Sequence, residues 1–373
     1  KRGVIFVSFN YRLNVFGFLA HPSLTRESII ESGMPTSGNF GILDQIAALK
    51  WVKHNIAAFG GDPDNITVFG QSAGAMSVQT LVSSKLTAGD IHKAIFQSAA
   101  GIGPFQKQAI VTLKDAEHTG EEFLSFIGVN NLEDARRLSA DVLIGYWEKF
   151  IRAHKDAMLF VPVVDGVVLE EDWISLALAG RFHDIPYMVG CTADEGLVSL
   201  PPRDATIQQI RNMAAVDYGD HAKRYLELSQ ADSIENHMEA LRSRRDILIS
   251  ACGWSMLQNL LGRRPAYQYY FDHAIPASDI GTFHSSEHMY VFQTFLRGWR
   301  PYSGADYDLS SRMCGYWTNF IKHGNPNGEG LPHWTPYTED SPMVMALNPA
   351  GKMISPPETE FEKFVKEFML GVL

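Results

Sequence analysis

Short apolar runs alternate with longer helical patterns along this chain. Val4-Ile5-Phe6-Val7-Ser8-Phe9 is apolar and β-branched without period-two alternation, the pattern of a strand buried on both faces. After a Gly-rich connection, Leu43 to Val52 has the apolar spacing of a helix packed on a sheet, and Gly60-Gly61-Asp62-Pro63 closes it with a glycine cap and a turn. Ile66–Phe69 reads as the next strand, Ala73–Ser83 as a helix and Ala94–Gln97 as a further strand. Strands also follow at Pro186–Thr192 and Ala266–Phe271, and helices at Leu309–Lys322 and Glu358–Met369. This β-α-β-α rhythm predicts an α/β fold with a mostly parallel central sheet and helices on both faces. Two helix-rich blocks, about 106–155 and 205–261, read as insertions above that sheet. No Pro- or Ser-rich linker separates them, so residues 1–373 are expected to form a single domain.

Composition narrows the function classes. The chain has 373 residues, 45% of them hydrophobic, enough for a sizeable core. Its formal charge of −10 opposes binding to a phosphate backbone, and no basic patch offsets it, so nucleic acid is not an expected partner. No apolar run reaches membrane-spanning length. Cys191, Cys252 and Cys314 are far apart, lack metal-ligand spacing and cannot pair completely, so they are expected to be buried, reduced thiols. The sequon Asn65-Ile66-Thr67 opens a core strand and reads as accidental.

The chemistry begins at Gly70-Gln71-Ser72-Ala73-Gly74, which sits between a strand and a helix. G-x-S-x-G in that context is a nucleophile elbow: a sharp turn strains the serine backbone and needs flanking positions nearly free of side chains. Ser72 is then projected at a helix N-terminus, where the dipole favours an anion and the Ala73 N–H faces the oxyanion of a tetrahedral intermediate. A serine hydroxyl needs a base, and the base needs an orienting acid, in the order Ser, acid, His for this architecture. The strand Pro186–Thr192 ends in Ala193-Asp194-Glu195-Gly196, which puts two acids at the carboxyl edge of the sheet, where ligand chemistry belongs. Three histidines, His273, His284 and His288, follow the strand Ala266–Phe271 on a long loop. Spacing alone leaves both choices open.

His284-Ser285-Ser286-Glu287-His288 also matches the inverted zinc-hydrolase pattern H-x-x-E-H. Two histidines four apart on one helix face can bind a metal. The loop-like Gly281-Thr282-Phe283 before them, with Ser285 or Ser286 as an N-cap, places His284 off the helix and argues against His284/His288 as a zinc site.

Taken together, several segments resemble the type-B carboxylesterase and cholinesterase-like family of α/β hydrolases. They are Asn10-Tyr11-Arg12 with Phe16-Gly17-Phe18-Leu19, Gly38 to Gln45, Phe59 to Thr67 continuing into the Ser72 elbow, Ala94 to Ser98, Pro162 to Gly166, and Trp317 to Tyr337 with Gly324-Asn325-Pro326-Asn327. They span the chain in the family's order. The resemblance implies an α/β-hydrolase fold and a carboxylesterase acting on a small-molecule ester, with no metal or organic cofactor. It implies that Glu195 is the acid and His284 the base, that Glu287 is a buried supporting group, and that Ser98 stands where it can hydrogen-bond the acid–base pair. Gln71 occupies a position where animal cholinesterases usually carry glutamate, which brings the chain closer to microbial esterases.

One departure bears on the fold. The family's His-Gly-Gly segment, which supplies most of the oxyanion hole, belongs upstream of Val4 and is absent, as is the strand leading into it. By family topology that strand lies between Val4–Phe9 and Ile66–Phe69, so the domain is expected to be N-terminally incomplete. A binding or adhesion protein on the same fold is the alternative from another class, since fold does not fix function. Retention of Ser72, Glu195 and His284 together argues for the enzyme.

Overall fold

The computed structural model describes residues 2–103, 110–129, 131–154, 158–195, 205–242, 246–369 and 371. Eight strands lie among them: β1 (Thr67–Gln71), β2 (Lys93–Gln97), β3 (Val111–Thr112), β4 (Val163–Val164), β5 (Tyr187–Thr192), β6 (Ala266–Phe271), β7 (Val344–Ala346) and β8 (Met353–Ile354). Six of them form one sheet in the order β1-β2-β5-β6-β7-β8, and β3 pairs with β4 separately. The first five strands of that sheet run parallel, and β8 turns back antiparallel on β7.

The strand sequences dictate two cores. Side chains alternate across a strand, so Phe96 and Val189 point to one face while Ile95 and Met188 point to the other. Both faces must be covered, which is why these strands read as continuous apolar runs. The first face is covered by α1 (Phe40–Asn55), α2 (Ala73–Ser83) and α3 (Asp246–Leu260), through residues such as Ile46, Val82 and Trp254. The second is covered by the short α4 (His288–Val291) and by α5 (Gly304–His323), through Tyr290, Met313 and Trp317. Gly324 follows α5 at φ 69°, a left-handed C-cap that stops the helix. Arg12 fastens the N-terminal segment to α1 through a forked ion pair with Asp44.

Apart from Val4–Phe9, the expected strands and helices recur with their ends shifted by at most five residues, and two expectations are corrected. Val4–Phe9 is not a strand. It is exposed and outside any regular element, with Phe6 59% exposed. A strand needs a ladder, and β1, whose only strand partner is β2, does not reach it. A cavity of about 800 Å³ lies between residues 4–9 and β1, where the Phe6 ring lies 6.0 Å from that of Phe69 and 5.7 Å from that of Phe292. The block 205–261 is also not uniform. Its last helix, α3, belongs to the sheet, since Trp254 is fully buried against Phe96, Phe182 and Tyr187. Its earlier helices instead pack on Glu360–Met369 through Tyr218, Tyr225 and Phe364. The block 106–155 carries the short strand β3, and its helices Leu113–Phe126 and Ala140–His154 enclose Phe123 and Phe150. Residues 104–109, 130 and 155 of that block lie outside the described residues, as do 243–245 and Gly196.

Trp254 makes the role of α3 testable. Trp254→Ala is expected to lower the unfolding free energy by about 3–5 kcal/mol, because a large side chain leaves a cavity that the sheet face cannot collapse to fill. A chemical-denaturation midpoint within error of the parent protein would show that α3 is not part of the core.

Candidate active site

β1 ends at Gln71 and α2 begins at Ala73, which leaves Ser72 alone at the turn with φ 56° and ψ −127°. Such a backbone costs a residue with a side chain roughly 1–3 kcal/mol, so neighbours must hold it. They do: the Ser72 N–H donates to Gln97 O at 2.8 Å, and the Ser72 carbonyl accepts from the N–H groups of Ala75 and Met76 at 2.8 and 3.2 Å. A Cβ at Gly70 would run into the backbone of Gly74, whereas a Cβ at Gly74 meets nothing within 4 Å. The expectation that both flanking glycines are needed for their own missing side chains is therefore corrected. Gly70 is the tight position, because the first turn of α2 passes over it. Ala73 is exposed at the start of α2, where the first N–H groups of a helix have no intrahelical acceptor.

The candidate acid and base come from the end of β5 and from the loop that follows β6. Glu195 follows β5, is 3% exposed, and its Oε1 accepts from the Thr192 N–H at 3.0 Å. Its Oε2 accepts a short hydrogen bond from Nδ1 of His284. Asp194 points elsewhere: it exchanges hydrogen bonds with Thr282, N–H to carbonyl at 3.1 Å and Thr282 N–H to Oδ2 at 2.6 Å. Asp194 thus pins the loop that carries His284, and Glu195 holds the ring. The other two histidines are committed differently. His273 bonds Asp306 at 2.8 Å, an oxygen it shares with the Tyr290 hydroxyl. His288 opens α4 and packs edge-on to Phe292.

The zinc pattern is not laid out on a helix. α4 begins only at His288, and Ser285 turns the chain with φ 75°. The N-cap is Glu287 and neither serine, a correction of one to two residues that leaves His284 off the helix. Among the described residues, no three or more His, Cys, Asp and Glu side chains gather as a ligand set.

Electrostatics around the ring are shaped by burial. Desolvation opposes the imidazolium of His284, but the bond and charge of Glu195, with Glu287 adding, outweigh it and raise the pKa above 6.5. Burial, and then the charge of Glu195, push the fully buried Glu287 up to about 7. Its Oε1 accepts from Gln97 Nε2 at 3.2 Å and its Oε2 has no partner. Burial and the nearby His284 lower the pKa of His288. Ser98 follows β2 with φ 59°, and its buried hydroxyl has no hydrogen-bond partner among the described residues, so the expected bond to Glu195 or His284 is not formed there. Sequence reasoning did not foresee the side-chain partners of two groups. Gln71 and Gln97, in register at the ends of β1 and β2, reach His284 and Glu287 respectively. The signal was a glutamine closing each of two apolar strands.

Residues 1–365 match the model of the carboxylesterase family. The chain belongs to that family. Para-nitrobenzyl esterase of Bacillus subtilis (strain 168) is 32% identical over 371 residues, covering 96% of this chain and 72% of that protein. Fumonisin B1 esterase of Sphingopyxis macrogoltabida is also 32% identical, over 90% of this chain and 62% of that protein. The chain thus spans roughly two thirds of the length of these curated relatives. A solved thermophilic PNB esterase structure superposes with a TM-score of 0.79 at 29% identity, covering 95% of this chain and 72% of that one. The fold of this carboxylesterase-family chain is the α/β-hydrolase fold, as its sheet order and elbow had indicated.

Glu287 gives a pH signature of its own. Its folded pKa lies above the ordinary 4.5, so its contribution to stability is fully present below pH 4.5 and is lost as pH rises toward about 7. Glu287→Gln is expected to flatten the dependence of unfolding free energy on pH across that window. Parallel curves for parent and variant would show that Glu287 titrates normally.

Proposed function

We propose that the protein is a carboxylic-ester hydrolase that works by acyl transfer to Ser72. The observation that carries this reading is the bond from His284 Nδ1 to the buried Glu195, on a ring whose other nitrogen faces the end of β1 beside the Ser72 elbow. Because Nδ1–H is donated to Glu195, the neutral ring carries its lone pair on Nε2. That nitrogen takes the Ser72 proton as Oγ bonds to the ester carbonyl carbon, and Glu195 stabilises the imidazolium that results. The carbonyl oxygen becomes an oxyanion facing the Ala73 N–H and the positive end of α2. Collapse breaks the bond to the alcohol oxygen, which leaves with the proton from Nε2. Water then repeats the sequence on the acyl-enzyme and releases the acid. The substrate class is a small-molecule ester. Among the described residues, no helix is long and apolar enough to cross a membrane.

Ser72→Ala is expected to cut kcat by about 10⁴-fold or more, since triad members act as a unit. A fluorophosphonate should label the parent protein at Ser72 and leave the variant unlabelled. Turnover or labelling that survives the substitution rules out this nucleophile. The acids should separate as well: Glu195→Gln favours the wrong tautomer and is expected to cost about 10³–10⁴ in kcat. Asp194→Asn, which keeps an acceptor for Thr282, should cost far less. Equal losses in the two would move the acid assignment. The raised pKa of His284 sets the acid limb of kcat/KM above 6.5, with activity falling as pH drops through it because the imidazolium cannot act as a base. A limb below 6.5 would contradict the Glu195 pairing.

A further inference from the structure

The ring of His284 is held at both nitrogens, and the group on Nε2 is not the nucleophile. Gln71 Nε2 lies 3.0 Å from His284 Nε2. With Nδ1–H committed to Glu195, Nε2 presents a lone pair, so the Gln71 amide is the donor. An imidazole nitrogen has one in-plane lone pair, and while Gln71 occupies it the Ser72 hydroxyl cannot donate there. The amide is half-buried, neutral, and carried by the residue immediately before Ser72, so exchanging it for the serine hydroxyl swaps one neutral hydrogen bond for another and moves no charge.

Resting on the Ser72/His284 reading, we propose that Gln71 is a positioning residue that latches the base: in the substrate-free protein its amide holds Nε2 of His284, and its release lets Ser72 bond that nitrogen. The latch keeps the ring neutral and in the productive tautomer, because a donor to Nε2 is compatible only with the proton on Nδ1. It also keeps Ser72 unactivated until an ester is seated. The other titratable groups acting on the ring are Glu195 after β5, Glu287 before α4, and His288 at the start of α4. None of them occupies Nε2. A carboxylate at position 71 would do the opposite of the amide, pairing with the imidazolium and holding the base in its charged form.

The test compares Gln71→Met and Gln71→Glu with the parent protein, reading the pH profile of kcat/KM and the rate at which a fluorophosphonate labels Ser72. Gln71→Met keeps the volume and removes the donor. Labelling on the alkaline plateau should become about 3- to 10-fold faster, and the acid limb should rise by about half a pH unit, the equivalents of one net hydrogen bond. Gln71→Glu should raise the acid limb by about one unit or more. Faster plateau labelling with both limbs displaced upward supports the latch. Acid limbs that coincide with the parent's in variants still labelled at Ser72, or a Met variant no faster on the plateau, overturn it. Failure of the hydrolase reading would register separately, as turnover that persists in Ser72→Ala.

Discussion

A carboxylate taken out of water must find hydrogen-bond donors, and the site is organised around that demand at Glu195. Burial of an unpaired charge is costly by several kcal/mol, so a group 3% exposed survives as an anion only with its oxygens engaged. One oxygen takes the Thr192 N–H, which ties the acid to the last residue of β5. The other takes Nδ1 of His284, which brings a loop 89 residues further along the chain onto the carboxyl edge of the sheet. Asp194 reinforces the same closure from outside by pinning Thr282. The two adjacent acids divide the work: one fixes where the loop lies, the other which way the ring faces.

The sheet supplies the rigidity this requires. Parallel strands buried on both faces place several strand ends at one edge, and β1, β2, β5 and β6 each deliver part of the site there. Gln71 and Gln97 stand side by side in register, so the groups that meet His284 and Glu287 are spaced by the sheet itself. The same burial that stiffens the edge desolvates Glu287, and the charge of Glu195 adds to the cost of ionising it. Glu287 therefore titrates near neutrality and adds a charge whose presence depends on pH. The His284 ring thus has Glu195 on Nδ1, the amide of Gln71 on Nε2, and a nearby Glu287 whose ionisation burial opposes.

Much of this was legible along the chain because it is locally encoded. The elbow follows from the crowding between Gly70 and the first turn of α2, and the helix from its own spacing, so Ser72 and Ala73 needed no tertiary information. The runs Ala266–Phe271 and Tyr187–Thr192 are apolar because both sheet faces are covered, a property written in each strand separately. Val4–Phe9 carries the same pattern and is nonetheless exposed and unpaired. Apolar pattern states what a segment is suited to, and a ladder exists only where a partner strand lies alongside. Likewise α3 reads as one more helix of a helical block until Trp254 is seen against Phe96 and Tyr187.

The sequence by itself pointed to Ser72 as the candidate nucleophile, predicted the parallel α/β order and narrowed the acids and histidines from which a triad would be drawn. Its resemblance to a family chose Glu195 and His284 from that set. Only the tertiary structure shows which of these groups meet. Among the described residues, His273 is engaged by Asp306, Asp194 by Thr282 and His288 packs on Phe292, whereas Glu195 meets His284. It alone revealed that Gln71 holds the second ring nitrogen and that the hydroxyl of Ser98 has no partner among the described residues. The division has a single cause. Backbone conformation and burial preference are set by neighbours within a few residues, whereas which donor meets which acceptor is decided by groups that folding brings together from distant parts of the chain.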